Sequence, residues 1–102
     1  MPIQLIIFER RDSADRVDLG NAALAMCRAM RSTKGIRSSR FYWYGADTVV
    51  ILTEGETEGL DAPLDAENAR AAFDLTDLAR MTMNWRLIDP RTGEEAYKIA
   101  GR

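Results

Sequence analysis

Hydrophobic residues along the chain form strand-like runs separated by stretches with helical spacing. In the segment 39–53, four consecutive aromatic residues (Phe41–Tyr44) and four consecutive aliphatic residues (Val49–Leu52) lie on either side of Gly45. Because side chains in a strand point alternately to opposite faces, neither strand of this predicted hairpin has a polar side. We therefore expect both faces of the sheet to be covered.

The N-terminal third of the sequence predicts a strand followed by a helix. The strand, Ile3–Arg10, again has apolar residues on both faces. Asp12 or Ser13 is expected to cap a helix that runs from residue 14 to about residue 34 and ends at Gly35. The apolar stripe of this helix comprises Leu19, Ala23, Met26, Cys27 and Met30.

The second half predicts a loop, a helix and a strand. The acidic, glycine-containing segment 54–63 is expected to be an exposed loop. Asp65 is the predicted cap of a second helix, 66 to about 82, and a fourth strand follows at 85–88 with a short arm at 95–100. The predicted inward face of the second helix comprises Ala69, Ala72, Phe73, Leu75, Leu78, Ala79 and Met83.

This order of elements, β-α-β-β-α-β, predicts one α+β domain over 1–102 with a ferredoxin-like fold. Its antiparallel sheet carries two helices on one face, and a short C-terminal hairpin arm follows. With the aromatic-Gly-x-Asp-x-apolar hairpin of residues 41–51, the chain resembles the dimeric α/β-barrel superfamily, which includes the antibiotic-biosynthesis-monooxygenase-like proteins. The resemblance implies two such sheets packed together with the helices outside.

The apolar patterning itself also favours a homodimer. Two helices on one face leave the other face of the sheet open, whereas an antiparallel sheet with a wet face normally alternates apolar and polar residues. An exposed patch of this size exceeds what soluble monomers usually tolerate. We expect a second copy of the chain to cover the open face around a twofold axis.

Composition narrows the class of protein. The 102 residues are 46% hydrophobic and 29% charged, as is usual for globular proteins. The apolar N-terminus lacks a preceding basic region, and no run reaches the roughly 20 apolar residues of a membrane span, so a cytoplasmic protein without membrane contact is expected. Cys27 is the only cysteine and histidine is absent, so we expect neither a disulfide nor a metal or other cofactor. The missing histidine also disfavours the haem-degrading and histidine-dependent branches of the superfamily.

The hairpin supplies the first candidate site residues. Arg40, Tyr42 and Tyr44 share one face of a strand, and a guanidinium with two phenols suits an anionic or phenolic aromatic ligand. Alternatively, the tyrosines pack in an interface or under a helix. Asn84 and Trp85 are further candidates, because the resemblance implies pockets built from Trp, Asn and Tyr; alternatively, Trp85 closes the core.

Three functions are compatible with these features. The first is a homodimer that binds a small apolar or aromatic molecule between sheet and helices. The second is a cofactor-independent monooxygenase or isomerase acting on an aromatic, polyketide-like substrate held by the five candidate residues. The third is an RNA-binding module, which we rank lowest because the net charge is −2 and residues 44–46 lack the basic-Gly-aromatic signature, so no nucleic-acid partner is expected.

Overall fold

Four antiparallel strands and three helices make up the computed structural model, which describes residues 1–88. The predicted arm at 95–100 lies outside these residues. The elements are β1 (Ile3–Arg10), α1 (Arg16–Arg31), β2 (Ile36–Tyr44), β3 (Thr48–Gly55), α2 (Thr57–Asp61), α3 (Ala66–Leu78) and β4 (Ala79–Leu87).

The sheet has the strand order β2-β3-β1-β4, with every neighbouring pair antiparallel. Helices α1 and α3 pack on one face, where Ile6 of β1 pairs with Ile51 of β3 and with Asn84 of β4. This arrangement is the predicted ferredoxin-like α+β fold. No helix within the first 88 residues combines the length and the hydrophobicity that crossing a bilayer requires.

The hydrophobic core lies between the helices and this face of the sheet. Helix α1 contributes Leu19, Ala23 and Cys27, which are all but inaccessible to solvent, as its predicted apolar stripe requires. Small residues at two of these positions let the helix lie close to the strands. The core cluster is completed by Phe8, Val49, Ile51, Leu75 and Ala79.

Helix α1 is shorter at both ends than predicted. Asp15, and not Asp12 or Ser13, is its cap, and the Asp15 carboxylate accepts hydrogen bonds from the amides of Val17 and Asp18 at 2.7 and 3.3 Å. At the other end, the hydroxyls of Ser32 and Thr33 both donate to the Ala29 carbonyl oxygen. These side chains compete with the helical hydrogen bonds, so the helix stops before Gly35.

The segment predicted as an exposed loop, 54–63, is partly ordered into regular structure. Its first two residues end β3, and residues 57–61 form the short helix α2. The helix is stabilised by close backbone packing of Gly59 against Gly35, whose φ of 89° turns the chain into β2. Charge patterning alone could not reveal this packing.

The boundary between the second long helix and the last strand differs most from the prediction. Helix α3 begins at the predicted cap, Asp65, but ends at Leu78, and residues 79–87 form β4 along the edge of β1. The buried face of α3 comprises Asn68, Ala71 and Leu75, so the predicted inward positions Ala69 and Phe73 are wrong. Met83, also predicted on this face, belongs to β4 instead. Pairing with β1 explains the early end of the helix. It satisfies the backbone N–H and C=O groups along this edge of β1, which a longer α3 would leave unpaired.

The face of the sheet opposite the helices is covered by no element within residues 1–88, and it is largely apolar. Cross-strand neighbours on it include Leu5 with Leu52 and Trp85, and Ile7 with Val50. We call this surface the open face. Its composition confirms that the sheet is apolar on both sides, as the sequence predicts.

Candidate ligand-binding site

A cavity of about 220 Å³ lies between the helix-covered side of the sheet and the helices α1 and α2. Strands β1, β3 and β4 form its floor, α1 forms one wall, and α2 with the residue Leu64 closes the mouth. Its lining comprises Gln4, Ile6, Phe8, Met26, Met30, Ile51, Thr53, Leu60, Leu64, Asn84 and Arg86.

Most of the cavity wall is apolar. Met26 and Met30 lie one turn apart on α1 and are half-buried, whereas their neighbours Ala23 and Cys27 pack directly on the sheet. Unbranched methionine side chains adapt to irregular spaces, which suits them to the wall of a ligand cavity. Leu60 and Leu64 add aliphatic surface at the mouth, four residues apart.

The polar end of the cavity is a chain of hydrogen bonds across β1 and β4. Gln4 pairs in register with Arg86, and Asn84 is two residues from Arg86 on the same face. Arg86 Nε donates to Gln4 Oε1 at 2.8 Å, and Gln4 Nε2 donates to Asn84 Oδ1. Three polar side chains are thereby held together at one end of an otherwise apolar space.

The arginine fixes the direction of this chain. A guanidinium only donates hydrogen bonds, so Gln4 must turn its carbonyl oxygen toward Arg86 and its amide nitrogen toward Asn84. Asn84 in turn accepts through its oxygen and keeps its NH₂ group for another partner. The polar end therefore offers donors, from Asn84 and from Arg86, to an acceptor oxygen of a ligand.

Arg86 also reaches the mouth of the cavity. Its Nη1 group donates to Asp61 Oδ1 at 2.6 Å, which joins β4 to the end of α2. The Asp61 side chain is 58% exposed and that of Arg86 is 28% exposed. Arg86, the one cation that residues 1–88 contribute to the cavity lining, thus carries an exposed carboxylate as its counter-ion.

The structure separates the predicted site residues into two groups. Arg40, Tyr42 and Tyr44 lie together on the open face of β2, and Trp85 lies on the same face of β4, about 14 Å away across three strand spacings. Asn84, in contrast, lies on the helix-covered face and lines the cavity. Asn84 and Trp85 are adjacent in sequence but on opposite sides of the sheet.

Sequence reasoning missed several cavity residues. Gln4 and Arg86 are polar residues inside apolar strands, and that interruption was the available signal for a polar end of the cavity. Leu60 and Leu64 have helical spacing within an acidic segment, which indicates a partly buried turn.

Cys27 is buried in the core beside the cavity wall. Burial raises the pKa of its thiol, against the smaller effects of a hydrogen bond with Ser39 and the charge of Arg31. The thiol is therefore protonated at neutral pH and packs as a small apolar group. Within residues 1–88, cysteine, aspartate and glutamate side chains form no group of three or more that could hold a metal ion.

Comparison with solved structures reveals many chains with the same architecture. Rv0793 from Mycobacterium tuberculosis matches 91% of this chain and 99% of its own length, with a TM-score of 0.73 and 20% identity. SnoaB, a cofactor-independent oxygenase from Streptomyces nogalater, matches 90% of this chain and 95% of its own, with a TM-score of 0.78 and 8% identity. An antibiotic biosynthesis monooxygenase covers 90% of this chain and 100% of its own, with a TM-score of 0.70 and 12% identity.

The chain has the fold of the antibiotic-biosynthesis-monooxygenase-like proteins. This confirms the predicted resemblance to the dimeric α/β-barrel superfamily at the level of the fold. A comparison with protein-family models gives no match, and neither does a comparison with curated proteins. At these identities the likeness concerns the fold, and function has to be argued from the site.

Proposed function

We propose that this protein is a homodimer that binds a small, mainly apolar or aromatic molecule with an acceptor oxygen in the cavity between sheet and helices. The observation that carries the proposal is an apolar cavity with a single polar end, where Asn84 and Arg86 present donors. Ligand sites typically combine apolar walls with a few convergent polar groups that set the orientation of the ligand.

Binding of an aromatic probe tests the cavity directly. We expect 2-naphthol to bind, with its ring between Met26 and Met30 and its oxygen toward Asn84. Met30→Trp fills part of the space and should weaken binding about tenfold or more, since displaced ring contacts are lost. Val17→Trp places the same side chain on an exposed position of α1 and should leave the affinity unchanged. Equal affinities for the two variants in calorimetry would contradict the site.

The open face supports the homodimer part of the proposal. Trp85 is 55% exposed and Tyr42 is 49% exposed in the single chain, and Leu5, Ile7 and Leu52 lie between them across the sheet. A second copy of the same face would cover these side chains, as a twofold interface requires. The predicted residues Arg40, Tyr42, Tyr44 and Trp85 would then lie at the interface.

Sedimentation equilibrium tests the assembly. Leu52→Glu puts a charge in the centre of the open face and should convert the dimer into a monomer, because burying an unpaired carboxylate is unfavourable. Val17→Glu introduces the same charge on α1, away from the sheet, and should leave the dimer intact. A monomeric wild-type protein at micromolar concentration would contradict the homodimer part of the proposal and would not affect the cavity part.

A cofactor-independent monooxygenase or isomerase is the second candidate function. Its support is the fold shared with SnoaB, a cofactor-independent oxygenase. Donors from Asn84 and Arg86 could stabilise the oxyanion of an electron-rich aromatic, polyketide-like substrate. Oxygen uptake with polyphenolic substrates and no added metal, reduced at least tenfold in Asn84→Leu, would favour the oxygenase. A spectral change of the substrate without oxygen uptake would favour the isomerase. If neither oxygen uptake nor a spectral change occurs, both activities are excluded for these substrates.

A further inference from the structure

The ion pair between Asp61 and Arg86 lies at the mouth of the cavity and joins the end of α2 to β4. Arg86 belongs to the floor of the cavity, and Asp61 is the last residue of α2. The carboxylate approaches the guanidinium to 2.6 Å although more than half of the Asp61 side chain is exposed. Exposed ion pairs of this kind are weak and exchange readily with other partners.

Asp61 is poorly placed for the stability of its own helix. An acidic residue at the C-terminal end of a helix opposes the helix dipole, and the last turn of α2 contains no basic residue. Helix α2 also lacks a side-chain cap at its N-terminus. Asp61 is therefore stabilised at this position by its tertiary partner, Arg86, and not by its own helix.

The other part of α2 is fixed independently of this ion pair. Glu56 N donates to the Gly35 carbonyl oxygen at 2.7 Å, and Gly59 packs against the backbone of Lys34 and Gly35. Removing the Asp61–Arg86 contact thus frees the end of the segment that lies over the cavity and leaves its beginning attached. Asp61 can therefore separate from Arg86 at a small cost in free energy.

We infer that Arg86 is the residue that recognises a carboxylate of the ligand, and that Asp61 is a resident counter-ion which this carboxylate displaces. The inference rests on the proposed small-molecule cavity and specifies its ligand class as aromatic carboxylic acids. A ligand carboxylate would meet the same guanidinium donors that Asp61 now occupies, while the ring lies along the methionine wall. Asn84 belongs to the same hydrogen-bonded chain, on the far side of Gln4 from Arg86, and its NH₂ group is a further donor along the polar end of the cavity.

Two isosteric probes, 2-naphthoate and 2-naphthamide, separate charge recognition from ring binding. We expect the wild-type protein to bind the acid more tightly than the amide. Asp61→Asn removes the competing carboxylate and should raise the affinity for 2-naphthoate about 1.5- to 5-fold, the range of an exposed ion pair, with little effect on 2-naphthamide. Arg86→Gln should abolish the preference for the acid. Calorimetry gives the affinities, and the methyl signals of Met26 and Met30 report that the probes occupy the cavity.

The chain offers two matched controls. Asp47 forms the same type of pair with Arg10, at 2.7 Å and with side chains 57% and 25% exposed, but neither residue lines the cavity. Asp47→Asn should leave both affinities unchanged. Glu58→Gln removes a charge from α2 itself and controls for the general effect of fewer acidic groups near the mouth, so it too should leave the affinities unchanged.

The outcomes distinguish this inference from the proposal on which it rests. If both probes shift the Met26 and Met30 signals but Asp61→Asn changes their affinities equally or not at all, the displacement of Asp61 is wrong and the cavity stands. The same holds if Glu58→Gln has the effect of Asp61→Asn. If neither probe shifts these signals, the inference and the cavity proposal both fall.

Discussion

Gly35 and Gly59 pack backbone against backbone where the turn after α1 meets α2. A Cβ atom on Gly59 would lie 2.8 Å from the Lys34 carbonyl oxygen and 2.9 Å from the Gly35 carbonyl carbon. Both atoms belong to the main chain and cannot rotate away. This close approach positions α2, and with it Leu60 and Asp61, at the mouth of the cavity.

Substitution of Gly59 is therefore expected to displace α2. Gly59→Ala should lower the free energy of unfolding by about 1–3 kcal/mol, as overpacking generally does. It should also weaken binding of 2-naphthol, because Leu60 no longer closes the mouth. Urea denaturation and calorimetry measure the two effects.

Gly20→Ala is the control for this prediction. Gly20 lies within α1, where an added Cβ would be 3.4 Å from the Trp43 ring and would meet no other atom within 4 Å. Alanine in a helix is favoured over glycine by roughly 0.5–1 kcal/mol, so this variant should be as stable as the wild type or more stable. A Gly59→Ala protein with wild-type stability and affinity would show that α2 is not held by the glycine contact.

A buried pair of hydroxyls links β2 to β3: those of Ser39 and Thr53 lie 2.8 Å apart, and Thr53 also lines the cavity. Thr53→Val leaves the Ser39 hydroxyl without this partner and should cost about 1–3 kcal/mol of stability. The double variant Ser39→Ala/Thr53→Val should cost less than the sum of the two single variants, since removing both groups leaves no orphaned hydroxyl. Denaturant unfolding of the four proteins measures this coupling. Strictly additive effects would mean that the two hydroxyls do not interact.

The buried thiol of Cys27 predicts a pH-dependent component of stability. Burial raises its pKa in the folded protein, so the unfolded chain loses the thiol proton at a lower pH than the folded chain does. The free energy of unfolding should therefore fall as the pH rises through the ordinary thiol pKa, by at most about 1.4 kcal/mol per pH unit from this group. Below that pKa both states retain the proton and the effect disappears.

Cys27→Ala isolates this contribution from the other groups that titrate at alkaline pH. The difference in unfolding free energy between about pH 7.5 and about pH 10 should be smaller in the variant than in the wild type. Identical differences would indicate that the folded protein tolerates the thiolate. In the wild-type protein, thiol reagents should label Cys27 slowly in the native state, because the thiol is buried.

The parts of the fold that could be predicted are those with a strong local signal. Strand β1 has the predicted bounds. The hairpin turns at Gly45, whose φ is 71°, and glycine between two apolar runs is a local signal for such a turn because it tolerates positive φ. The boundary between α3 and β4 could not be found in this way. Residues 75–83 keep a helical spacing of apolar side chains, and pairing with β1, some 70 residues earlier, decides the outcome.

The candidate site was predictable only in part for the same reason. Asn84 was identified by the resemblance, but its partners Gln4 and Arg86 come together through hydrogen bonds between strands that are 80 or more residues apart. The placement of Trp85 on the opposite face depends on the register of β4. That register is set by the pairing of β4 with β1, which begins at Ala79.

The methyl groups of the methionines report whether a ligand occupies the space between the sheet and the helices. Met26 and Met30 line the cavity, whereas Met83 pairs with Ile7 on the open face. Nuclear Overhauser effects from the ring protons of bound 2-naphthol should appear at the methyl groups of Met26 and Met30 and not at that of Met83. Effects confined to Met83 would place the ligand on the open face and contradict the account.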